Sequence, residues 1–152
     1  MNIVFAGGGT GGHLFPGIAI AMEFLRRDPE NNITFIGTTR GIENRVLPKL
    51  GFNLKIITVK GFKGKGLLEK IIALCCIPFS FMQSAYYIRK NNTDMVIGLG
   101  GYISFPAILA ATTMQIPTAI HEQNSFPGLS NRILGKITNK VFVSSKEIIH
   151  FF

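Results

Sequence analysis

The first loop with residues that could take part in ligand binding or catalysis consists mainly of glycine. Five of the six residues in the range 7–12 are glycine, and they follow the short apolar run 2–6. Because glycine adds no Cβ and accepts positive φ, such a loop can bring backbone N–H groups close to a ligand. Pro16 then opens a segment with helical spacing, whose N-terminal dipole favours an anion at the same point. The pattern predicts a phosphate or diphosphate site that includes Gly8 and Gly9.

Two further loops carry polar groups where apolar runs end. The range 98–104 reads Gly-Leu-Gly-Gly-Tyr-Ile-Ser, so glycines are again followed by hydroxyl groups, at Tyr102 and Ser104. The range 121–124 reads His-Glu-Gln-Asn, which places an acid and two carboxamides in a row. Ligands of parallel sheets bind beyond the carboxyl ends of the strands. The three loops therefore predict one shared site.

The elements that must position these loops alternate along the chain. Apolar runs that predict strands lie at 3–6, 33–36, 54–59, 95–98, 118–121 and 141–143, and helical spacing lies at 15–27, 41–50, 67–90, 105–115 and 129–137. This alternation predicts an α/β fold with a Rossmann-like, doubly wound and mainly parallel sheet. The 152 residues have the length of a single ordinary domain.

The net charge and the positions of the cysteines limit which classes of binding partner are expected. Sixteen Lys and Arg against eight Asp and Glu give a net charge of +8, which favours anionic partners. No motif of interleaved aromatic and basic residues stands out, so nucleic acid is not an expected partner. The adjacent Cys75 and Cys76 are poorly placed for a disulfide and give no metal-ligand spacing. No signal peptide precedes the first predicted strand, which indicates the cytoplasm.

A dinucleotide site is the alternative interpretation of the first loop. Gly7, Gly9 and Gly12 satisfy the pattern G-x-G-x-x-G, but the second predicted strand ends without the acid that would hold a ribose hydroxyl. Arg40 could instead meet a 2′-phosphate, so an NADP-type Rossmann oxidoreductase stays open. No Gly-Lys-Ser/Thr follows the glycines, which excludes a P-loop.

Three segments of the chain resemble the signature loops of the MurG family. They are residues 8–17, 98–104 and 121–124, and the likeness extends in order over essentially all 152 residues. The family consists of peptidoglycan N-acetylglucosaminyltransferases that convert lipid I to lipid II. The resemblance implies the amino-terminal, acceptor-binding half of an inverting GT-B glycosyltransferase. It also implies that the carboxyl-terminal donor-binding domain is absent from residues 1–152, so that this fragment alone would be inactive.

The family's reaction would use UDP-GlcNAc as donor and undecaprenyl-diphospho-MurNAc-pentapeptide, lipid I, as acceptor. It belongs to peptidoglycan synthesis, and so to cell wall biogenesis, cell shape and cell division. The attacking sugar hydroxyl needs a base. Histidine changes charge near neutral pH, and His13 lies at the mouth of the anion loop, so it is one candidate. Capping the turn or donating to a phosphate is an equally open role for His13. Glu122 is the second candidate base, with orienting His13 or binding a sugar hydroxyl as its alternatives.

The resemblance assigns binding roles as well. The donor sugar nucleotide would contact Thr10, Gly11, Gly12 and Asn124. The acceptor and its diphosphate would contact Gly8, Gly9, Gly100, Gly101, Tyr102 and Ser104, with Gln123 behind them. No metal and no cofactor are expected, since no pair of carboxylates accompanies the glycine loop.

The apolar stretch that begins near residue 67 has three possible interpretations. Residues 71–88 are eighteen uncharged residues, near the lower bound for a transmembrane helix. A crossover helix packed on the sheet and a helix that dips into the lipid interface are the alternatives. A lipid-linked acceptor favours the interfacial helix, with an anionic membrane surface contacted by Lys65, Lys70, Ile71, Leu74, Ile77, Phe79 and Phe81. The expected location is peripheral, on the cytoplasmic face of the bacterial plasma membrane.

Overall fold

Six parallel strands form one sheet. The structure is a computed structural model and describes residues 1–61 and 66–152. The strands are β1 Asn2–Ala6, β2 Asn32–Gly37, β3 Asn53–Ile56, β4 Met95–Gly98, β5 Thr118–Glu122 and β6 Lys140–Val143. Their order in the sheet is β3-β2-β1-β4-β5-β6, and every pairing is parallel. The predicted Rossmann-like α/β fold is confirmed, and the sheet is wholly rather than mainly parallel.

Helices connect the strands. They are α1 Gly11–Arg27, α2 Glu43–Val46, α3 Leu67–Lys90, α4 Gly101–Thr113 and α5 Leu129–Leu134, with short 3-10 helices at Pro48–Leu50 and Lys146–Phe151. Two helices begin four residues earlier than predicted, at Gly11 instead of 15 and at Gly101 instead of 105. Their first turns consist largely of glycine and polar residues, which carry no apolar periodicity. The consequence is functional, because His13 and Tyr102 lie on helices rather than in loops.

Helices cover both faces of the sheet. Successive strand residues point to opposite faces, so Ile3 and Phe5 belong to one buried cluster while Val4 and Ala6 belong to the other. The first cluster includes residues of α1, and the second includes residues of α3 and α4. With both faces buried, the loops at the carboxyl edge of the sheet are the part of the strand layer that a ligand can reach.

The start of α1 is held against the end of β4 by a close approach. A Cβ at Gly17 would lie 2.2 Å from the side chain of Leu99, which is fully buried. Only glycine at this helical position lets α1 pack this near to the residue that follows β4. The contact places the first turn of α1, with His13, beside the loop that leads into α4.

Candidate active site at the carboxyl edge of the sheet

The three predicted loops meet at the point where the strand order reverses. β1 and β4 are neighbours, and their chains leave the sheet toward helices on different faces. The amide of Leu99 donates to the Ala6 carbonyl oxygen over 2.8 Å, which ties the two strand ends together. The loop after β5 lies next along the same edge. Such a switch point is where open α/β sheets bind ligands.

A buried carboxylate that the sequence analysis missed supports the first glycine loop. Glu43 has no exposed surface. One of its oxygens accepts from the Gly9 amide over 2.7 Å, and the other accepts from the amide and the hydroxyl of Thr38 over 2.9 and 3.1 Å. Cβ atoms at Gly8 and Gly41 would lie within 2.5 Å of the carboxylate. These glycines therefore leave the space that the Glu43 side chain fills.

This carboxylate changes how the first loop can meet an anion. The Gly9 amide already has an acceptor, and Gly8 is buried against Glu43. The N–H groups of the first turn of a helix have no acceptor inside the helix. The first turn of α1, at Gly11 and Gly12, is therefore where a phosphate would find backbone donors. Binding by Gly8 and Gly9 themselves stays a prediction.

His13 lies between the first and second loops. Its Nδ1 lies 3.0 Å from the Leu99 carbonyl oxygen and 2.5 Å from the carboxamide of Gln123. Its other ring nitrogen, Nε2, lies on the side of Gly101, 3.9 Å from the position of a Cβ there. The ring is only partly buried. The space bordered by the three loops is called the cleft below. Nε2 is the ring nitrogen that a ligand in this cleft would meet.

Glu122, the second candidate base, organises the third loop. It is 1% exposed, and its carboxylate accepts four hydrogen bonds. The donors are the amide and carboxamide of Asn124 over 3.0 and 2.8 Å, the Gly128 amide over 3.1 Å and the Asn131 carboxamide over 3.0 Å. Asn131 is buried, and the sequence does not mark it because it lies outside the His-Glu-Gln-Asn motif, in helix α5. The arrangement orients Asn124, which is exposed.

The second loop contributes one exposed and one buried hydroxyl. Tyr102 is 37% exposed, and its hydroxyl lies 4.0 Å from the position of a Cβ at Gly9. Ser104 is fully buried, and its hydroxyl lies 2.6 Å from the Ala6 carbonyl oxygen and 2.8 Å from that of Gly100. Tyr102 therefore borders the cleft, whereas Ser104 holds the loop to β1. Ligand contact by Ser104 stays a prediction that this placement does not favour.

Both the backbone conformation and the close packing at position 100 require glycine. Its φ is +91°, a backbone conformation that residues with a side chain rarely adopt. A Cβ there would lie 3.0 Å from His13 Nδ1 and 3.2 Å from the Asn131 carboxamide nitrogen. The loop consequently passes close to the side chains of His13, the candidate base, and Asn131.

His121 is partly buried on β5. Burial lowers the pKa of its imidazole, and the nearby Glu122 carboxylate opposes this effect. Its Nδ1 is buried and has no hydrogen-bond partner among the described residues. His121 therefore favours its neutral form and remains outside the set of cleft residues.

An apolar stripe runs along the exposed face of α3. It consists of Leu68, Ile72, Cys75, Phe79, Met82 and Tyr86, which recur every three or four residues and are all exposed. In the part of the chain that the structure describes, Ile71–Lys90 is long and apolar enough to cross a membrane by length and composition, with a mean hydropathy of 1.6. Yet α3 connects two strands of the same sheet and packs on α4, which makes it a crossover helix.

The predicted membrane residues divide accordingly. Ile71, Leu74 and Phe79 are 50%, 61% and 54% exposed. Ile77 is partly buried. Phe81 is partly buried and packs against the core cluster that contains Ile88, so membrane contact by Phe81 stays a prediction. Lys65 and the side chain of Lys70 lie outside the described part of the structure.

Residues 1–61 and 66–152 contain no group of three or more His, Cys, Asp or Glu that could hold a metal ion. The site is instead a cleft bordered by glycine loops, two helix N-termini, an imidazole and a phenol. Together with the strand order, these features define a Rossmann-like domain whose switch point has the kind of groups that suit a phosphorylated ligand.

Comparison with known proteins gives the family. Residues 3–143 match the sequence model described as the glycosyltransferase family 28 N-terminal domain. The chain belongs to this family. That assignment gives no support to the oxidoreductase alternative.

Named relatives agree with the family. A protein of Syntrophus aciditrophicus (strain SB) is 57% identical over 97% of this chain, and one of Geobacter sp. (strain M21) is 51% identical over all of it. Both are named UDP-N-acetylglucosamine–N-acetylmuramyl-(pentapeptide) pyrophosphoryl-undecaprenol N-acetylglucosamine transferase. The crystal structure of Acinetobacter baumannii MurG matches 96% of this chain with a TM-score of 0.84 at 30% identity, over 42% of its own chain. This chain spans 41% of the length of each of the two named relatives.

We predict that Glu43→Gln destabilises the domain by about 1–3 kcal/mol. Two backbone N–H groups lie on opposite sides of the carboxylate, and an amide offers an acceptor to only one of them. Urea unfolding followed by circular dichroism measures the loss. Glu30→Gln is the matched control, since Glu30 is exposed and distant from the loop. Equal stability of the two variants would contradict the supporting role of Glu43.

Proposed function

We propose that this chain is the acceptor-binding domain of an inverting N-acetylglucosaminyltransferase of peptidoglycan synthesis. The enzyme would transfer GlcNAc from UDP-GlcNAc to lipid I and form lipid II. Family membership and the names of the relatives support this reaction. The donor-binding domain belongs to the part of those relatives that this chain does not match. In this proposal the chain alone binds the acceptor but does not complete the transfer.

The observation that carries the proposal is the position of His13. Its Nε2 borders a cleft that also contains the first turns of α1 and α4. In the transfer, the 4-hydroxyl oxygen of MurNAc forms a bond to the anomeric carbon of GlcNAc. The bond from that carbon to the β-phosphate oxygen breaks, and UDP leaves with its electron pair. The hydroxyl proton passes to Nε2 of His13, which acts as the general base.

Glu122 has a different role in this proposal. A base must reach the hydroxyl that it deprotonates, and it must have a free lone pair. Glu122 is 1% exposed and already accepts hydrogen bonds from four donors. The carboxylate is therefore better suited to fixing the loop that presents Asn124. His13 is the group that both faces the cleft and has a ring nitrogen available.

The remaining predicted residues divide between the two substrates. Thr10, Gly12 and Asn124 are exposed at the rim, where a donor sugar nucleotide would approach from a second domain. The backbone of Gly100 and Gly101 and the hydroxyl of Tyr102 lie beside the start of α4 and suit the acceptor diphosphate. The positive ends of both helix dipoles favour these phosphates.

We also propose that the protein works at the cytoplasmic face of the plasma membrane, held there by the apolar stripe of α3. The acceptor in the relatives' name carries an undecaprenol lipid. Four large side chains of the stripe, Leu68, Phe79, Met82 and Tyr86, are each more than half exposed. A groove of about 510 Å³ at the end of the stripe has Phe81, Met114 and the basic Arg89 and Lys90 in its walls. Apolar and basic groups together suit an anionic lipid surface.

The transfer assay tests the proposed reaction. This chain would be measured alone and joined to the carboxyl-terminal part of the S. aciditrophicus relative, with radiolabelled UDP-GlcNAc and a soluble lipid I analogue. We expect transfer by the joined protein and a loss of about 100-fold or more in kcat for His13→Ala. His150→Ala is the control, because it removes an exposed imidazole that lies outside the three loops.

Two results would contradict this proposal. One is the absence of transfer by the joined protein together with the absence of acceptor binding by this chain. The other is a joined His13→Ala protein with wild-type kcat, which would remove the imidazole from the chemistry.

Vesicle binding tests the proposed membrane surface. We expect Phe79→Ser to bind phosphatidylglycerol-containing vesicles roughly tenfold more weakly, since a large apolar side chain no longer enters the lipid. Phe142→Ser is the matched control, because Phe142 on β6 is 57% exposed and Phe79 is 54% exposed. Co-sedimentation measures both. Equal binding by the two variants would place the contact elsewhere.

A further inference from the structure

Two groups compete for one nitrogen of His13. Nδ1 lies 3.0 Å from the Leu99 carbonyl oxygen and 2.5 Å from Nε2 of Gln123. A ring nitrogen offers either one proton or one lone pair in the plane of the ring. A carbonyl oxygen only accepts, so the contact with Leu99 requires a proton on Nδ1. A protonated Nδ1 cannot accept from an amide N–H.

Turning the Gln123 carboxamide by half a turn resolves the conflict. The rotation exchanges its nitrogen and oxygen without moving other atoms, and the hydrogen-bond network decides between the two orientations. The conflict at Nδ1 is what favours the rotated form. As placed, Oε1 of Gln123 is buried and meets no donor among the described residues. After rotation this oxygen accepts from Nδ1 of His13 alongside the carbonyl of Leu99.

We propose that Gln123 is a positioning residue that holds His13 in the tautomer with the proton on Nδ1. The lone pair is then on Nε2, on the side of Gly101 and the cleft. This inference rests on the proposed function for its catalytic meaning, because Nε2 is the atom that would take the hydroxyl proton. The tautomer itself is a property of the free chain.

The two acceptors on Nδ1 also matter once Nε2 has gained a proton. His13 lies in the first turn of α1. Carbonyl and carboxamide oxygens at Nδ1 accept hydrogen bonds from the imidazolium that forms there. A neutral amide does so without a third carboxylate beside the anionic ligand, since Glu43 and Glu122 already lie behind the first and third loops.

The tautomer can be observed directly. In the ¹⁵N-labelled chain, long-range ¹H–¹⁵N correlation spectra at about pH 9, where histidine is ordinarily neutral, distinguish a protonated from an unprotonated ring nitrogen. We expect Nδ1 of His13 to be the protonated one. Gln123→Met removes the acceptor at similar size, and the population shifts toward the form protonated on Nε2. Gln123→Glu restores an acceptor and keeps the wild-type tautomer.

Gln115→Met is the matched control, since Gln115 is exposed just before β5, at the opposite edge of the sheet. Its spectrum should keep the wild-type His13 signals. Should Gln123→Met not fold, Gln123→Ala provides the same comparison. A wild-type His13 protonated on Nε2 would overturn the proposal. An unchanged tautomer in both Gln123→Met and Gln123→Ala would overturn it as well, because Leu99 alone would then set the proton.

Transfer kinetics of the joined protein test whether the tautomer set by Gln123 matters for catalysis. We expect Gln123→Met to lower kcat about tenfold or more and to leave KM for both substrates near the wild-type value, because the base presents the wrong nitrogen. A raised KM with unchanged kcat would assign Gln123 to substrate binding and overturn the positioning role. The spectra need no substrate, so a failure of the transfer reaction and a failure of this inference are distinguishable.

Discussion

The buried carboxylate of Glu43 fixes the loop on which the candidate site depends. It accepts from Gly9 after β1 and from Thr38 after β2, and it joins two neighbouring strand ends. A carboxylate that satisfies donors on both sides replaces the hydration that it loses on burial. The space for this carboxylate exists because the residues beside it are glycines, which have no side chain. The first part of the glycine loop therefore encloses the Glu43 carboxylate. The last part of the loop, in the first turn of α1, is the part that a ligand can reach.

The rest of the cleft follows from the strand order. Because β1 lies beside β4, the first turns of α1 and α4 come together, and Ser104 ties the loop of α4 to the Ala6 carbonyl. β5 lies next and brings Gln123 to His13. Each loop is supported from behind by a buried polar group, either Glu43, Ser104 or Glu122. The exposed rim can consequently consist of small or flexible residues and still keep its geometry.

The sequence predicts this fold well because the signals are local. Apolar runs mark all six strands, and glycines mark the loops at the correct edge. The sequence did not reveal Glu43, because its partner Gly9 lies 34 residues away and a single glutamate in a polar segment carries no pattern. The burial of Glu122 was not revealed either, since its donors Gly128 and Asn131 lie beyond the motif and carry no pattern of their own. Such partners become visible only when the chain is folded.

In the proposed function, the three loops form one ligand site in which the first turn of α1 binds an anion. Titrating the ¹⁵N-labelled chain with a soluble lipid I analogue, and following every backbone amide, tests it most directly. We expect the largest shifts at residues 10–13, 100–102 and 123–124, and a smaller shift for the Gly9 amide, which already donates to Glu43. Shifts confined to other parts of the chain, with these amides unmoved, would contradict it.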